Sequence, residues 1–268
     1  MKRYAGIISI TLLLVFSPTL IGCGGGGSTT PSSSSNPADT AQVIQGKWTI
    51  HSTSTQGQSN TITLINFTDQ GGGNFFAPSA IICTLSPSVV CKGSLVGQEV
   101  LTLQGTATAA GAVNMTLVIQ QGSDSSSACT IAITGTVSSS AMTGTYNGCQ
   151  DGGSFTGTEN ASATGTYAGS FNSTVNPSPI AIGFTAGITE AANFTLTGSA
   201  TLTNSVCFTN LTFGSPSTAI GEGIFLQDAA HGIYAVALPS EPGTNLGYVV
   251  NATQSCGADQ GQGQIAKH

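Results

Sequence analysis

Charge is scarce in this chain. Of 268 residues, five are Lys or Arg and eleven Asp or Glu, together 6%, where a soluble domain usually carries about a quarter. Without a basic stripe nothing can neutralise a phosphate backbone, so DNA and RNA are excluded as partners of the folded part. Three His, at positions 51, 231 and 268, show no ligand spacing, and no C-x-x-C pair occurs; a zinc site would want one or the other, so no metal or other cofactor is expected. A G-x-S-x-G elbow, an H-E-x-x-H helix, a phosphate loop and a dinucleotide fingerprint are all missing. Acid–base chemistry needs carboxylates or His with shifted pKa values, and the chain has few of either, so it reads as not an enzyme. Helical periodicity built from good helix formers is also rare, which argues against helices of more than about two turns. Ser, Thr, Asn, Gln and the 36 Gly are left to supply the wetted surface.

What is present begins with a processing signal. Met1, Lys2 and Arg3 give a basic start, and Ile7 to Phe16 is apolar except for Ser9 and Thr11. That run is too short for a spanning helix and suits a signal-peptide core. Leu20-Ile21-Gly22-Cys23 follows, which resembles a bacterial lipobox. The resemblance implies that residues 1–22 are removed and that Cys23 carries a diacylglyceryl thioether and an added N-acyl group such as palmitate. Membrane attachment through Cys23 is then expected without a spanning segment, since two or more chains hold stably where one does not. Gly24 in place of an Asp implies sorting to the outer membrane, within the bacterial cell envelope. Residues 23–40, rich in Gly, Ser and Pro, read as the lipid-anchored flexible linker. Loss of Lys2 and Arg3 leaves three Lys against eleven carboxylates.

Beyond residue 40 short stretches alternate apolar with small polar residues, as in Thr61-Ile62-Thr63-Leu64-Ile65-Asn66-Phe67, Val113–Ile119 and Asn193-Phe194-Thr195-Leu196-Thr197. Period-two alternation rich in Thr, Val, Ile and Phe predicts half-buried antiparallel strands. An internal repeat organises them. Gly46-Lys47-Trp48 opens one unit and Gly165-Thr166-Tyr167 the next; the stretches around Cys149-Gln150-Asp151-Gly152-Gly153 and Cys256-Gly257-Ala258-Asp259-Gln260-Gly261 close them. The fold predicted is all-β: two tandem antiparallel meander modules, 41–163 and 164–268, each a small barrel or flattened sandwich of about eight strands. The G-x-W/Y opening, meander order and module size resemble the lipocalin-like (calycin) barrels, and the Thr-Gly-Thr-Tyr and Cys-x-x-x-Gly closing pattern resembles repeats of Gly/Thr-rich bacterial lipoproteins. The calycin resemblance implies a barrel that could carry a small apolar ligand.

Seven Cys is an odd number, and setting Cys23 aside leaves Cys83, Cys91, Cys129, Cys149, Cys207 and Cys256. In an exported chain six Cys imply three disulfides. The repeat pairs Cys207 with Cys256 and, by analogy, Cys91 with Cys149, which leaves Cys83 to Cys129. The rival with shorter loops, Cys83 with Cys91 and Cys129 with Cys149, stays open.

Three Asp-Gly stretches, at Asp69–Gly73, Asp151–Gly153 and Asp259–Gly261, offer one carboxylate each. Calcium wants several, so all three read as hairpin turns. Asp228 and His231 could in principle orient each other for hydrolysis, but a spacing so loose reads as that of a satisfied turn histidine. The aromatic residues, among them Trp48, Tyr167, Phe194 and Tyr234, are candidates for core filling or for lining a ligand cavity. The functional expectation is therefore a lipid-anchored envelope protein of structural or interaction type, meeting an envelope protein partner. A carrier of a small apolar ligand is the alternative, and an envelope hydrolase comes last.

Overall fold

The computed structural model describes residues 44–55, 60–77, 80–84, 90–93, 101–120, 128–173, 181–205, 208–230, 233–239, 244–250 and 259–268. The expected signal segment (1–22), Cys23, the expected linker, Cys207, His231 and Cys256 lie outside the described residues. Strands make up about three quarters of what is described, and no helix occurs among these residues.

The first module runs through β1 (Gly46–Ser54), β2 (Thr61–Gly71), β3 (Asn74–Ala77), β4 (Ala80–Thr84), β5 (Val90–Gly93), β6 (Leu101–Ala107), β7 (Ala112–Ile119), β8 (Cys129–Ser138), β9 (Ala141–Gly148) and β10 (Asp151–Asn160). Eight of them close a ring in the order β1-β10-β9-β8-β7-β6-β3-β2, with β2 returning to β1. Closure leaves no unpaired edge within the ring. Strands β3 and β4 lie along the same edge of β2, Thr68 opposite Phe76 and Thr61 opposite Thr84. The β3 portion stays in the barrel wall by pairing with β6, whereas β4 turns away and pairs with β5.

The second module comprises β11 (Gly165–Ser173), β12 (Ile182–Glu190), β13 (Leu196–Thr203), β14 (Asn210–Phe213), β15 (Thr218–Ile220), β16 (Gly223–Asp228), β17 (Ile233–Pro239), β18 (Thr244–Val250) and β19 (Asp259–Lys267). Its order is β14-β13-β12-β11-β19-β18-β17-β16-β15, the same meander with the extra strand β14 branching from β13, where the first module's β4 branches from β2. The ring closes through a single bridge between Thr195 and Thr218, flanked by Leu196 N donating to Ser217 O and Ala219 N donating to Phe194 O. The equivalent openings Trp48 and Tyr167 are both buried, each in its own module's apolar core. At Gly46 the backbone has φ +106°, and a Cβ there would stand 2.9 Å from Glu159 Oε1. A glycine therefore opens the first module for steric and conformational reasons.

Neutral hydroxyls take the place of surface charge. The outward faces of β8 and β9 carry Thr134 opposite Thr145 and Thr136 opposite Thr143, with hydroxyl oxygens 3.3 and 3.5 Å apart. Cross-strand pairs of this kind contribute a few tenths of a kcal/mol up to about 1 kcal/mol.

The two barrels pack against each other through the outer face of β1, β2 and β4. Ile62, Leu64, Ile81 and Cys83 form a buried cluster with Ile220, and Phe225 packs on its rim. Asn66 grips the turn between β15 and β16 at both ends: its Nδ2 donates to Ala219 O at 2.7 Å and its Oδ1 accepts from Gly221 N at 3.1 Å. Glu222 N donates to Thr49 Oγ1. Gly221 has φ +56°, and a Cβ there would lie 2.7 Å from Trp48 O. A salt bridge of 2.6 Å joins Lys47 Nζ to Glu190, with side chains 5% and 7% exposed. The same Glu190 oxygen accepts from Ala163 N and from Ser162 Oγ, in the connection between the modules.

Several expectations need correction. The favoured pairing of Cys91 with Cys149 and Cys83 with Cys129 is not what forms: Cys129 is bonded to Cys149, with Cα atoms 5.5 Å apart. The cause is register. Strands β8 and β9 are antiparallel neighbours with Ile131 opposite Gly148, so Cys129 and Cys149 meet at the end of one hairpin. Cys83 is likewise disulfide-bonded and stands opposite Cys91 in Cα register across β4 and β5. The turn expected at Asp151-Gly152-Gly153 falls one step earlier, at Cys149 and Gln150, whose φ values are +54° and +62°, while Asp151 begins β10. Asp259-Gln260-Gly261 begins β19 in the same way. Only Asp69–Gly73 carries its turn near where expected, Gly71, Gly72 and Gly73 all having positive φ. Phe194, expected in a strand, sits instead in the turn before β13 with φ +65° and is half-buried, and Leu196 takes the core position.

A candidate ligand cavity in the first barrel

The two ends of the first barrel are filled differently. At the end where β1 enters, Trp48, Phe67 and Phe75 pack edge to face with ring centroids 6.3 and 5.1 Å apart. Ile44, Val113, Val137 and Met142 complete this plug, all buried. Trp48 Nε1 donates to Gln45 O, so the indole loses no hydrogen bond on burial.

Toward the other end the inward side chains become less covered. On β7 the inward row Val113, Met115 and Leu117 is buried and Ile119 is half-buried; on β8 Val137 is buried whereas Ile133 and Ile131 are half-buried. Short inward residues, Ser52 on β1, Thr61 and Thr63 on β2 and Gly148 on β9, leave space that the plug end lacks. The result is a cavity of about 200 Å³, walled mainly by Ile50, Leu103, Met115, Leu117, Ile133 and Phe155. An eight-stranded barrel is either just filled by its side chains or holds one small ligand.

A polar group stands at the cavity mouth. Asp151 Oδ1 accepts from Ser54 Oγ at 2.6 Å and from its neighbour Gly152 N at 2.7 Å, and Oδ2 accepts from Tyr146 Oη at 3.0 Å. Burial would raise the Asp151 pKa, but the hydrogen bonds from Ser54, Gly152 and Tyr146 outweigh it and hold the carboxyl below its ordinary value. Tyr146 moves the other way: burial first, then its bond to Asp151 and the nearby charge, push the phenol up to about 12. The Cys129–Cys149 disulfide fixes the start of β8 to the turn from which Asp151 departs, and Cys149 itself lines the cavity.

The aromatic candidates fall elsewhere. Trp48 belongs to the plug and Tyr167 to the second core, where its hydroxyl donates to Ala163 O at 2.7 Å. Phe194 lies in its turn, and Tyr234 is described only as a backbone position on β17. Asp228 is buried and accepts from Thr212 N at 2.8 Å, a structural use of the carboxylate. Sequence reasoning missed Ser54, Tyr146 and Asp151 as a group. Their separation along the chain hides that β1, β9 and β10 are adjacent. Among the described residues no group of three or more His, Cys, Asp or Glu could hold a metal ion. Compared with known proteins, the chain matches no family model, and no curated protein matches it.

Proposed function

We propose that this chain is a lipid-anchored protein of the bacterial envelope whose first barrel carries a small apolar ligand. The observation that supports the carrier role is the apolar cavity of about 200 Å³, open at one end of a barrel plugged at the other. A dry apolar cavity of about 150 Å³ is known to admit benzene, whereas drug-sized ligands occupy about 300 Å³ or more. The ligand class is therefore a single ring or a short acyl chain. The anchor reading is supported by the order of apolar run, small residue and Cys through Leu20–Cys23, and outer-membrane sorting by Gly24.

Native mass spectrometry of the chain expressed in a bacterial envelope tests the carrier role. A recurrent non-covalent mass that disappears in Ile133→Trp, which fills the cavity, is the expected result. Persistent absence of any such mass overturns it and favours the interaction role, in which the barrel faces meet an envelope protein. Failure of labelled palmitate to join the chain, or to depend on Cys23, overturns the anchor independently.

A further inference from the structure

We infer that the cavity selects among apolar ligands by charge, taking small molecules with a neutral or cationic hydrogen-bond donor and rejecting carboxylates. The inference rests on the carrier reading and concerns the same cavity. Asp151 is the charged residue of its lining, and no Lys, Arg or His lines it among the described residues. Lys47 is engaged with Glu190, and Lys267 donates to Ser162 O, so neither reaches the mouth. A carboxylate accepts at about four lone-pair positions and donates at none while ionised. Ser54, Gly152 and Tyr146 occupy three of them, and the Tyr146 hydrogen is spent on Asp151. The mouth therefore has acceptor capacity to offer and a negative sign. Ser52, Thr61 and Thr63 bring hydroxyls that serve either role, which leaves the choice to Asp151. Among the described side chains a ligand carboxylate would stand beside Asp151 with no counter-charge, the Lys92 side chain lying outside them; an ammonium or hydroxyl would meet an acceptor. Even with the mouth treated as bulk water, exchanging attraction for repulsion at contact distance amounts to about tenfold or more in affinity.

The test uses ethylbenzene, phenethyl alcohol, phenethylammonium and phenylacetate as probes of nearly one size, titrated by calorimetry at neutral pH and low salt. Phenethyl alcohol and phenethylammonium are expected to bind about tenfold more tightly than phenylacetate, and added salt to narrow the gap for the two ions. Asp151→Asn should raise phenylacetate to the level of the alcohol. Tyr146→Phe frees an acceptor position and should strengthen phenethylammonium binding, which keeps the test open if Asp151→Asn fails to fold. Phenylacetate binding as tightly as phenethylammonium, or a ranking unchanged in both variants, overturns the inference. If ethylbenzene binds and the ranking is flat, only the charge selection falls; if none of the four binds, the carrier reading falls with it.

Discussion

Removing the carboxylate of Glu190 isolates the Lys47 ammonium in a place water barely reaches. At 2.6 Å and an effective dielectric of about 20, the pair attracts by about 6 kcal/mol. Taking both ions out of water costs several kcal/mol each, so the intact pair contributes little net stability. Breaking it is another matter: Lys47 keeps its desolvation cost and loses its partner, which destabilises by about 3–5 kcal/mol. Ala163 N and Ser162 Oγ lose the same acceptor. Glu190→Ala is therefore expected to lower stability by about 3–5 kcal/mol, a large part of a typical total of about 5–15 kcal/mol. The double variant Lys47→Met, Glu190→Met removes both charges and should recover most of the loss. Urea unfolding is the assay, followed by fluorescence of Trp48, the sole Trp and the neighbour of Lys47, and by circular dichroism for both barrels. A Glu190→Ala loss below about 1 kcal/mol, the range of exposed pairs, would refute the reasoning. So would a double variant no more stable than the single one.

Gly221→Ala should destabilise by about 1–3 kcal/mol, because it puts a side chain at positive φ and against Trp48 O; a melting temperature equal to wild type would contradict this. Trp48→Ala removes the centre of the plug and should cost about 3–5 kcal/mol in urea unfolding followed by circular dichroism. Replacing Cys129 and Cys149 together by Ser opens a loop of sequence separation 20 and should cost about 3 kcal/mol, read as a lower urea midpoint than wild type with both proteins kept oxidised. Tyr146 should ionise near pH 12 against an ordinary 10, seen as tyrosinate absorbance missing from Tyr146→Phe. Its folded pKa is raised, so the associated stability is intact below pH 10 and is lost as pH climbs from 10 toward 12.

The barrel class was legible because alternation is a local property. Val113, Met115 and Leu117 point inward as their spacing predicts, and Asn114 and Thr116 do not. Alternation said less about β2, where Ile62 and Leu64 face outward yet are buried. They look like ordinary strand residues until the second barrel covers them, and Asn66 reads as a polar surface residue although it clasps a turn 153 positions away. The disulfides went astray for a related reason. A repeat suggests which Cys are equivalent, but bonding follows register, which depends on where a turn falls. Here Cys149 and Gln150 adopt positive φ without the glycines that usually announce such a turn. The polar mouth was illegible because Ser54, Tyr146 and Asp151 converge only once β1, β9 and β10 lie side by side.

The route of the backbone into and out of the first barrel bears on how a tethered molecule would work. Lys47 and Asn160 are register partners at the Trp48 end, so the chain arrives and departs on the same side, away from Asp151. A leash pulling on the protein would tug at its stoppered base. The segment that leads on to the second barrel leaves from the same base and does not cross the entrance.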